Sequence, residues 1–321
     1  MGGTASIEAW SDYWRAGALH SLGTGTENVT GAIRARWLAW LSMIEREGAV
    51  LDLGAGNGPL ARFALGLDGG TASPGRVVHA FDIARTAPLW LDELSAERRN
   101  ELVWHAGCGL ESMPLVDGGA VAAMSQYGLE YADLPRAVPE LCRVLRPGGA
   151  FAFLVHHADS LIVRRGRAEA TALRACLDDE GLLGLAARME AVMARRAMHP
   201  SARPSPDDEQ LRRRYNALQA ELDEWEARDE FAMPALAEVR AAVHGALRSV
   251  GKDGDGTRIA RVRRSFGATL QRLMDLEAAA LNYAGSARLV GLLAESGART
   301  EVCERFESAD GLLGWWVAGR R

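Results

Sequence analysis

In the first half of the chain, short apolar runs alternate with longer stretches in which apolar residues recur at helical spacing. The apolar runs cover residues 49–53, 76–82, 101–105, 120–124 and 150–155. Their lengths and the turn residues that bound them are typical of β-strands, and the stretches between them favour helices. Strands that alternate with helices in this way predict an α/β fold around a mostly parallel sheet.

The N-terminal 45 residues carry an apolar stripe of their own. Ile33, Trp37, Trp40, Leu41 and Ile44 recur at helical spacing. This pattern predicts an amphipathic helix that lies on the core, and Gly48 is expected to end it before the first strand.

The middle of the chain, residues 159–283, has no strand-like alternation. It is rich in Ala, Leu, Arg and Glu, which are good helix formers, and its prolines and the glycine-rich turn 251–256 divide it into four helical stretches. A helix over 287–296 and strands over 300–306 and 312–318 follow. Because these last strands must join the fifth one, the helices form an insertion that leaves from the carboxyl edge of the sheet, where α/β proteins bind ligands.

Charge and composition narrow the class of protein. The 321 residues have a formal net charge of −5, which offers no general attraction to nucleic-acid phosphate and argues against a tRNA or DNA substrate. The four cysteines are scattered without a C-x-x-C pair, so neither a zinc site nor a redox dithiol is expected. No signal peptide or membrane-spanning apolar run is evident, which predicts a cytoplasmic protein that does not enter the membrane.

The junction after the first apolar run is the most specific chemical signal. Gly54, Gly56 and Gly58 allow a sharp turn that a ligand can approach closely, and Pro59 suits the first turn of a helix. The second run ends in Asp82, an acidic residue placed to bind a ribose. A nicotinamide-binding domain is the alternative at this point, but its fingerprint needs the third glycine one residue later, where proline stands.

Three motifs together resemble the class I S-adenosylmethionine-dependent methyltransferase family. They are the sequence Asp-Leu-Gly-Ala-Gly-Asn-Gly over 52–58, Asp82, and Leu-Arg-Pro-Gly-Gly over 145–149. The resemblance covers roughly residues 30–157 and 286–320. It implies a Rossmann-like, mostly parallel seven-stranded sheet with an antiparallel final strand, interrupted after the fifth strand by the large all-helical insertion.

The expected organisation has three parts. Residues 1–45 form a helical cover segment, and residues 46–158 and 286–321 form the cofactor-binding α/β domain. Residues 159–285 form the helical insertion, which is expected to lie above the carboxyl edge of the sheet as a lid and substrate element or to mediate dimerisation. The apolar faces of these helices favour a homodimer.

The resemblance also implies a cofactor, S-adenosyl-L-methionine, and a set of residues that bind it. The glycine turn would meet the methionine part, Asp82 would accept hydrogen bonds from the ribose hydroxyls, and Ile83 would lie against the adenine. The family's usual adenine-binding Asp is absent, because residues 108–111 read Cys-Gly-Leu-Glu, and backbone groups and packing would hold the adenine instead. The expected cofactor residues in the sheet domain are Gly54, Ala55, Gly56, Asn57, Asp82, Ile83, Gly109, Leu110, Ser125 and Gln126.

Aromatic residues near the N-terminus have two readings. In many members of the family an N-terminal segment folds over the cofactor, which would make Tyr13, Trp14 and His20 part of that cover. Alternatively, Tyr13 and Trp14 anchor the terminus against the core. Both readings place the two rings on the α/β domain.

Candidate catalytic residues lie where the fourth and fifth strands end. Tyr127 would face the acceptor or belong to the core, and His156 and His157 point to opposite faces of the sheet. One of the two is a candidate general base, because imidazole titrates near working pH, and the other is structural. No metal site is expected, since adjacent histidine side chains diverge at a strand end.

Methyl transfer from a sulfonium is an in-line displacement that depends on alignment and enclosure, so it requires no nucleophilic side chain. The leading hypothesis is transfer to an N, O or C atom of a small-molecule acceptor. One alternative is a protein or RNA methyltransferase that uses the insertion as a docking surface, for which the Arg-rich runs 212–214 and 261–264 offer modest support. Another is a cofactor-binding protein without turnover, against which the intact glycine turn and Asp82 argue.

Overall fold

A computed structural model describes residues 3–18, 31–70, 72–199, 201, 203–250, 257–309 and 311–321. The chain divides into two compact units, residues 1–163 with 275–321 and residues 164–274. Among the described residues, no helix is both long enough and apolar enough to cross a membrane.

The first unit is built on a seven-stranded sheet. Its strands are β1 (Gly48–Leu53), β2 (Arg76–Asp82), β3 (Leu102–Ala106), β4 (Ala120–Gln126), β5 (Leu145–Val155), β6 (Arg299–Ser308) and β7 (Gly311–Arg320). The strand order is β3-β2-β1-β4-β5-β7-β6. The first five strands pair in parallel, and β7 is antiparallel to both β5 and β6. The expected fold class, including the antiparallel final strand and the helical insertion after β5, is confirmed.

Helices cover both faces of this sheet. The helices of the first unit are α1 (Thr4–Arg15), α2 (Gly31–Met43), α3 (Pro59–Ala64), α4 (Ala96–Arg99), α5 (Leu134–Val144) and α11 (Tyr283–Glu295). Alternation along β1 sends Val50 to the core shared with α2 and α3, and Leu51 to the core shared with α5 and α11. Because parallel strands are buried on both faces, their sequences read as continuous apolar runs.

The helices that follow β5 are α6 (Leu161–Leu177), α7 (Leu182–Met198), α8 (Pro206–Arg228), α9 (Met233–Arg248) and α10 (Arg258–Ala279). Within the second unit, α7, α8 and α9 pack on one another. The hydroxyl of Ser205 accepts a hydrogen bond from the Asp208 amide, and the Asp208 carboxylate accepts one from the Ser205 amide, which fixes the start of α8.

Three sequence-based boundaries were wrong. The single helical stretch expected before residue 200 is two helices, α6 and α7, because a turn at Gly181 brings that residue against the carbonyl oxygen of Ala175, where a Cβ would not fit. Gly48 does not end α2; with a φ of +106° it begins β1. β5 begins five residues early, at Leu145, where a register shift lets it pair with β4. The expected turn over 251–256 lies outside the described residues.

Candidate active site

The glycine turn joins β1 to α3 and is held against the loop that follows β4. Gly54 has a φ of +70°, and a Cβ placed on it would lie 2.5 Å from Gly128 Cα. The amide of Ala55 donates a hydrogen bond to the carbonyl of Phe81 at 2.8 Å, which ties the turn to the end of β2. The turn is therefore fixed from two sides by backbone atoms of neighbouring strands.

Asp82 ends β2 beside this turn, and its side chain is 8% exposed. Its Oδ2 accepts a hydrogen bond from the Gly56 amide at 2.6 Å, and its Oδ1 accepts one from the Ala84 amide at 2.7 Å. Burial raises the pKa of this carboxyl, and the two amide donors oppose that rise. Each oxygen keeps a lone pair for a ligand hydroxyl.

The C-terminal part of α1 lies over the glycine turn. A Cβ placed on Gly56 would be 2.7 Å from the ring of Trp14. The Asn57 side-chain amide donates hydrogen bonds to the carbonyls of Trp14 and Ala18 at 2.8 and 2.6 Å. The structure thus brings Trp14 onto the expected cofactor turn, with the Tyr13 ring 5.0 Å from it. His20 lies outside the described residues.

The residues expected near an adenine lie beyond Asp82, on the side away from the glycine turn. Ile83 is 45% exposed, which is unusual for a large apolar side chain next to a buried carboxylate. Gly109 lies opposite it, because a Cβ on this glycine would be 3.6 Å from Ile83 Cδ1 and 2.6 Å from Glu111 Oε2. Leu110 is buried among the core residues. Ile83 and Gly109 therefore share one surface, and Leu110 lies beneath it.

The polar side chains at the end of β4 form hydrogen bonds to other groups of the protein. The buried hydroxyl of Ser125 donates to the Leu53 carbonyl and accepts from the Leu129 amide. The side-chain oxygen of Gln126 accepts a hydrogen bond from the Trp37 indole at 2.8 Å. Both side chains thus have partners within the protein, and their role in binding a ligand stays a prediction.

Tyr127 follows β4 in a left-handed conformation with a φ of +56°, which is rare for a residue with a side chain and is often found at functional sites. Its amide donates to the Leu154 carbonyl at 2.7 Å. Burial, with a smaller contribution from the charge of Glu130, raises the pKa of its phenol well above the ordinary value. Tyr127 is therefore a neutral phenol at working pH.

The two histidines after β5 have different surroundings. His156 is fully buried, its ring stacks on Tyr127 with centroids 4.3 Å apart, and neither ring nitrogen has a hydrogen-bond partner. Burial lowers its pKa to about 3. The ring of His157 stacks on Trp315 at 4.7 Å, and its Nδ1 accepts a hydrogen bond from the Asp159 amide. Only His156 lies beside Tyr127.

One buried carboxyl, Glu130, escaped the sequence reasoning, and a second, Asp52, entered it only as the first residue of the glycine motif. Glu130 follows β4, is 5% exposed, and accepts a hydrogen bond from the His156 amide at 2.7 Å through Oε1. Asp52 lies within β1. Burial raises the pKa of Glu130 to about 8 and that of Asp52 to about 7. The signal in the sequence was an acidic residue between apolar neighbours, at Leu129 to Tyr131 and again at Leu51 to Leu53.

Comparisons with known proteins find similarity over part of the chain. Residues 51–153 match the family model of a methyltransferase domain. A malonyl-[acyl-carrier protein] O-methyltransferase from Pectobacterium atrosepticum is 32% identical over 105 residues, which cover 32% of this chain and 37% of that protein. The chain thus spans little more than a third of the length of this curated relative.

Solved structures similar to this chain include the YcgJ protein of Bacillus subtilis, at 21% identity, 44% of this chain, 59% of that chain and a TM-score of 0.33. Another is a geranyl diphosphate C-methyltransferase from Streptomyces coelicolor, at 16% identity, 48% of this chain, 67% of that chain and a TM-score of 0.35.

Proposed function

We propose that this chain, which belongs to the class I S-adenosylmethionine-dependent methyltransferase family, transfers a methyl group from S-adenosylmethionine to a small-molecule acceptor. The observation that carries the proposal is the hydrogen bond from the Gly56 amide to Asp82 Oδ2. It joins a bare glycine turn to a buried carboxylate at the ends of two neighbouring parallel strands, where α/β proteins bind nucleotides.

The residues present fit this cofactor. Asp82 keeps lone pairs for ribose hydroxyls, and the exposed Ile83 offers an apolar surface to an adenine. Near the glycine turn, Asp52 Oδ2 and Asn57 Oδ1 are buried without a hydrogen-bond partner. A buried acceptor without a donor is costly, so a ligand that carries N–H or O–H groups would relieve both.

Residue roles follow from these positions. Gly54, Ala55, Gly56 and Asn57 would hold the methionine part, with Trp14 above them and Tyr13 beside it in the cover. Asp82 would hold the ribose, with Ile83 and Gly109 on the adenine side.

The cofactor supplies a methyl group on a sulfonium, which an acceptor attacks in line. The contribution of the chain is to orient the acceptor and to exclude water, which supports rate without a nucleophilic side chain. Trp14 and Asn57 serve this role by fixing α1 to the glycine turn. Tyr127 and His156 lie at the next strand ends and are placed to contact an acceptor.

The helical residues 159–285 are proposed as the acceptor-specific part of the protein or as its dimerisation element. The support for this role is their position in the chain, directly after the strand that carries His156 and His157.

Isothermal titration calorimetry with S-adenosylmethionine, S-adenosylhomocysteine and NAD tests the proposal. We expect the first two to bind and NAD not to bind. Asp82→Ala should weaken binding by about 1.5–3 kcal/mol, because it removes a charged acceptor from neutral donors. Asp92→Ala, at an exposed aspartate, is the matched control and should bind like the parent. Tight NAD binding without cofactor binding would refute the proposal.

A further inference from the structure

Glu130 is the buried acidic residue that the proposed mechanism does not yet use. Its Oε1 accepts a hydrogen bond from the His156 amide, whereas its Oε2 is buried and has no partner. Among the described residues, no Arg, Lys or His side chain forms an ion pair with it. A buried carboxyl without a cation is unfavourable, so its presence calls for a ligand that supplies one.

The ring of His156, whose backbone amide donates to this carboxyl, also lacks hydrogen-bond partners. Both Nδ1 and Nε2 are buried without partners. A neutral imidazole has one donor and one acceptor nitrogen, and an ionised carboxylate accepts only. Together the two groups leave several hydrogen-bonding positions that the protein does not fill, at the ends of two adjacent strands.

Aromatic rings connect this pair to the glycine turn. Tyr131 meets His156 edge-on with ring centroids 6.1 Å apart, and it meets Trp10 edge-on at 5.6 Å. Trp10 stacks on Trp14 at 5.7 Å, and Trp14 lies against Gly56. The faces of Trp and Tyr rings attract cations, most strongly where water is excluded. The region between the glycine turn and Glu130 is therefore suited to positive charge.

We propose that the acceptor is an amine whose ammonium form binds between the Glu130 carboxylate and these aromatic rings, and that Glu130 removes the proton that blocks methyl transfer. This inference rests on the proposed function. It adds a catalytic residue, since Glu130 would touch the reacting nitrogen, and it names the acceptor class.

The step balances in atoms and charge. The N–H bond breaks, its proton forms an O–H bond on Glu130, and the electron pair stays on nitrogen. That pair forms the new N–C bond to the methyl carbon, while the pair of the broken C–S bond stays on sulfur. The product is a methylated ammonium. The proton stays on Glu130 after release, because the pKa of this carboxyl in the empty site is raised to about 8, and it passes to solvent when the next ammonium binds.

Proton affinity supports this assignment over His156. Burial raises the pKa of Glu130 to about 8, near working pH, whereas the pKa of His156 is lowered to about 3. Two other titratable groups lie near the pair: Tyr127, whose pKa is raised, and Tyr131. Farther away, Asp275 accepts a hydrogen bond from the Trp10 indole.

Calorimetry in the presence of S-adenosylhomocysteine tests the subsite without knowledge of the natural acceptor. The probes are ethylamine, choline and benzylamine, each compared with an uncharged isostere: ethanol, 3,3-dimethylbutan-1-ol and benzyl alcohol. We expect at least one amine to bind tenfold or more tightly than its isostere. Glu130→Gln, which can still accept from the His156 amide, should abolish this preference, and Glu93→Gln, at an exposed glutamate, should keep it.

A second measurement follows transfer of a labelled methyl group to ethylamine and benzylamine, because choline has no N–H bond and serves only as a binding probe. Glu130→Gln should lower the rate at least a hundredfold with unchanged cofactor affinity, and Glu130→Asp should restore part of it. Absence of any charge preference in the parent, or a preference and rate that survive Glu130→Gln, would overturn the inference. Failure of the parent protein to bind S-adenosylmethionine would instead refute the proposed function.

Discussion

The ends of β1 and β2 and the ends of β4 and β5 meet the same edge of the sheet, but they hold their polar groups differently. Beside β2, both oxygens of Asp82 accept hydrogen bonds from backbone amides. Beside β4, Oε2 of Glu130 and both nitrogens of His156 are buried without partners. The carboxyl of Asp82 is thus fully partnered before a ligand arrives, whereas Glu130 and His156 have polar atoms that only a ligand or a proton can satisfy.

The largest expected effect lies at the glycine turn beside Asp82. Gly54→Ala adds a Cβ at a φ of +70° and within 2.5 Å of Gly128 Cα, and backbone atoms cannot move aside as a side chain can. We expect a loss of about 3 kcal/mol or more in stability, or cofactor binding that is no longer measurable. Thermal unfolding and calorimetry provide the measurements.

Gly148→Ala is the matched control for this substitution. Gly148 has a φ of +77°, but nothing lies within 4 Å of a Cβ placed on it. It should therefore cost only the backbone strain, about 1–2 kcal/mol. Equal effects of the two substitutions would show that the close approach to Gly128 has no part in the rigidity of the turn.

The second prediction concerns pH and two buried carboxyls, one in each of these regions. The folded protein binds protons at Glu130 and Asp52 more tightly than the unfolded chain does, because their pKa values are raised to about 8 and about 7. The free energy of unfolding should therefore fall as pH rises through this range. The lowered pKa of His156 has the opposite sign, but it acts only below its ordinary value of 6.5.

Denaturant unfolding at about pH 6.5 and 8.5 measures the size of this fall. Glu130→Gln should reduce it by about 1–2 kcal/mol, and Asp52→Asn should reduce it by about half as much, because its folded pKa is closer to the lower pH. The exposed Glu93→Gln should leave it unchanged. A fall that persists in full in Glu130→Gln would mean that this carboxyl is ionised in the folded protein without a ligand.

The smallest expected effect belongs to the histidines. His157 has partners in Trp315 and the Asp159 amide, and His156 is a poor base with a pKa of about 3. With any amine acceptor, His156→Phe and His157→Phe should each keep turnover within about tenfold of the parent, which is about 1.4 kcal/mol in the barrier. A drop of about three orders of magnitude in either variant would identify that histidine as the base.

The sheet was predictable from the sequence because its parallel strands are buried on both faces and read as uninterrupted apolar runs. The glycine turn and Asp82 were predictable because backbone geometry restricts which residues can stand there. The break between α6 and α7 was missed, since helix-forming residues on both sides conceal the single glycine at 181. Glu130 was missed because a single acidic residue between apolar neighbours forms no recognisable sequence pattern. Its hydrogen bond is with His156 at the end of β5, which is distant in sequence.

The position of β7 has a consequence for how the protein folds. This strand lies between β5 and β6, and residues 150–155 of β5 pair with residues 315–320 of β7. During synthesis the first five strands and the whole insertion emerge before β5 gains its antiparallel partner β7. Such a high contact order predicts slow completion of the α/β unit, with the edge of β5 exposed until then. Variants that weaken β7 should therefore lower the yield of soluble protein more than they lower the activity of the molecules that fold.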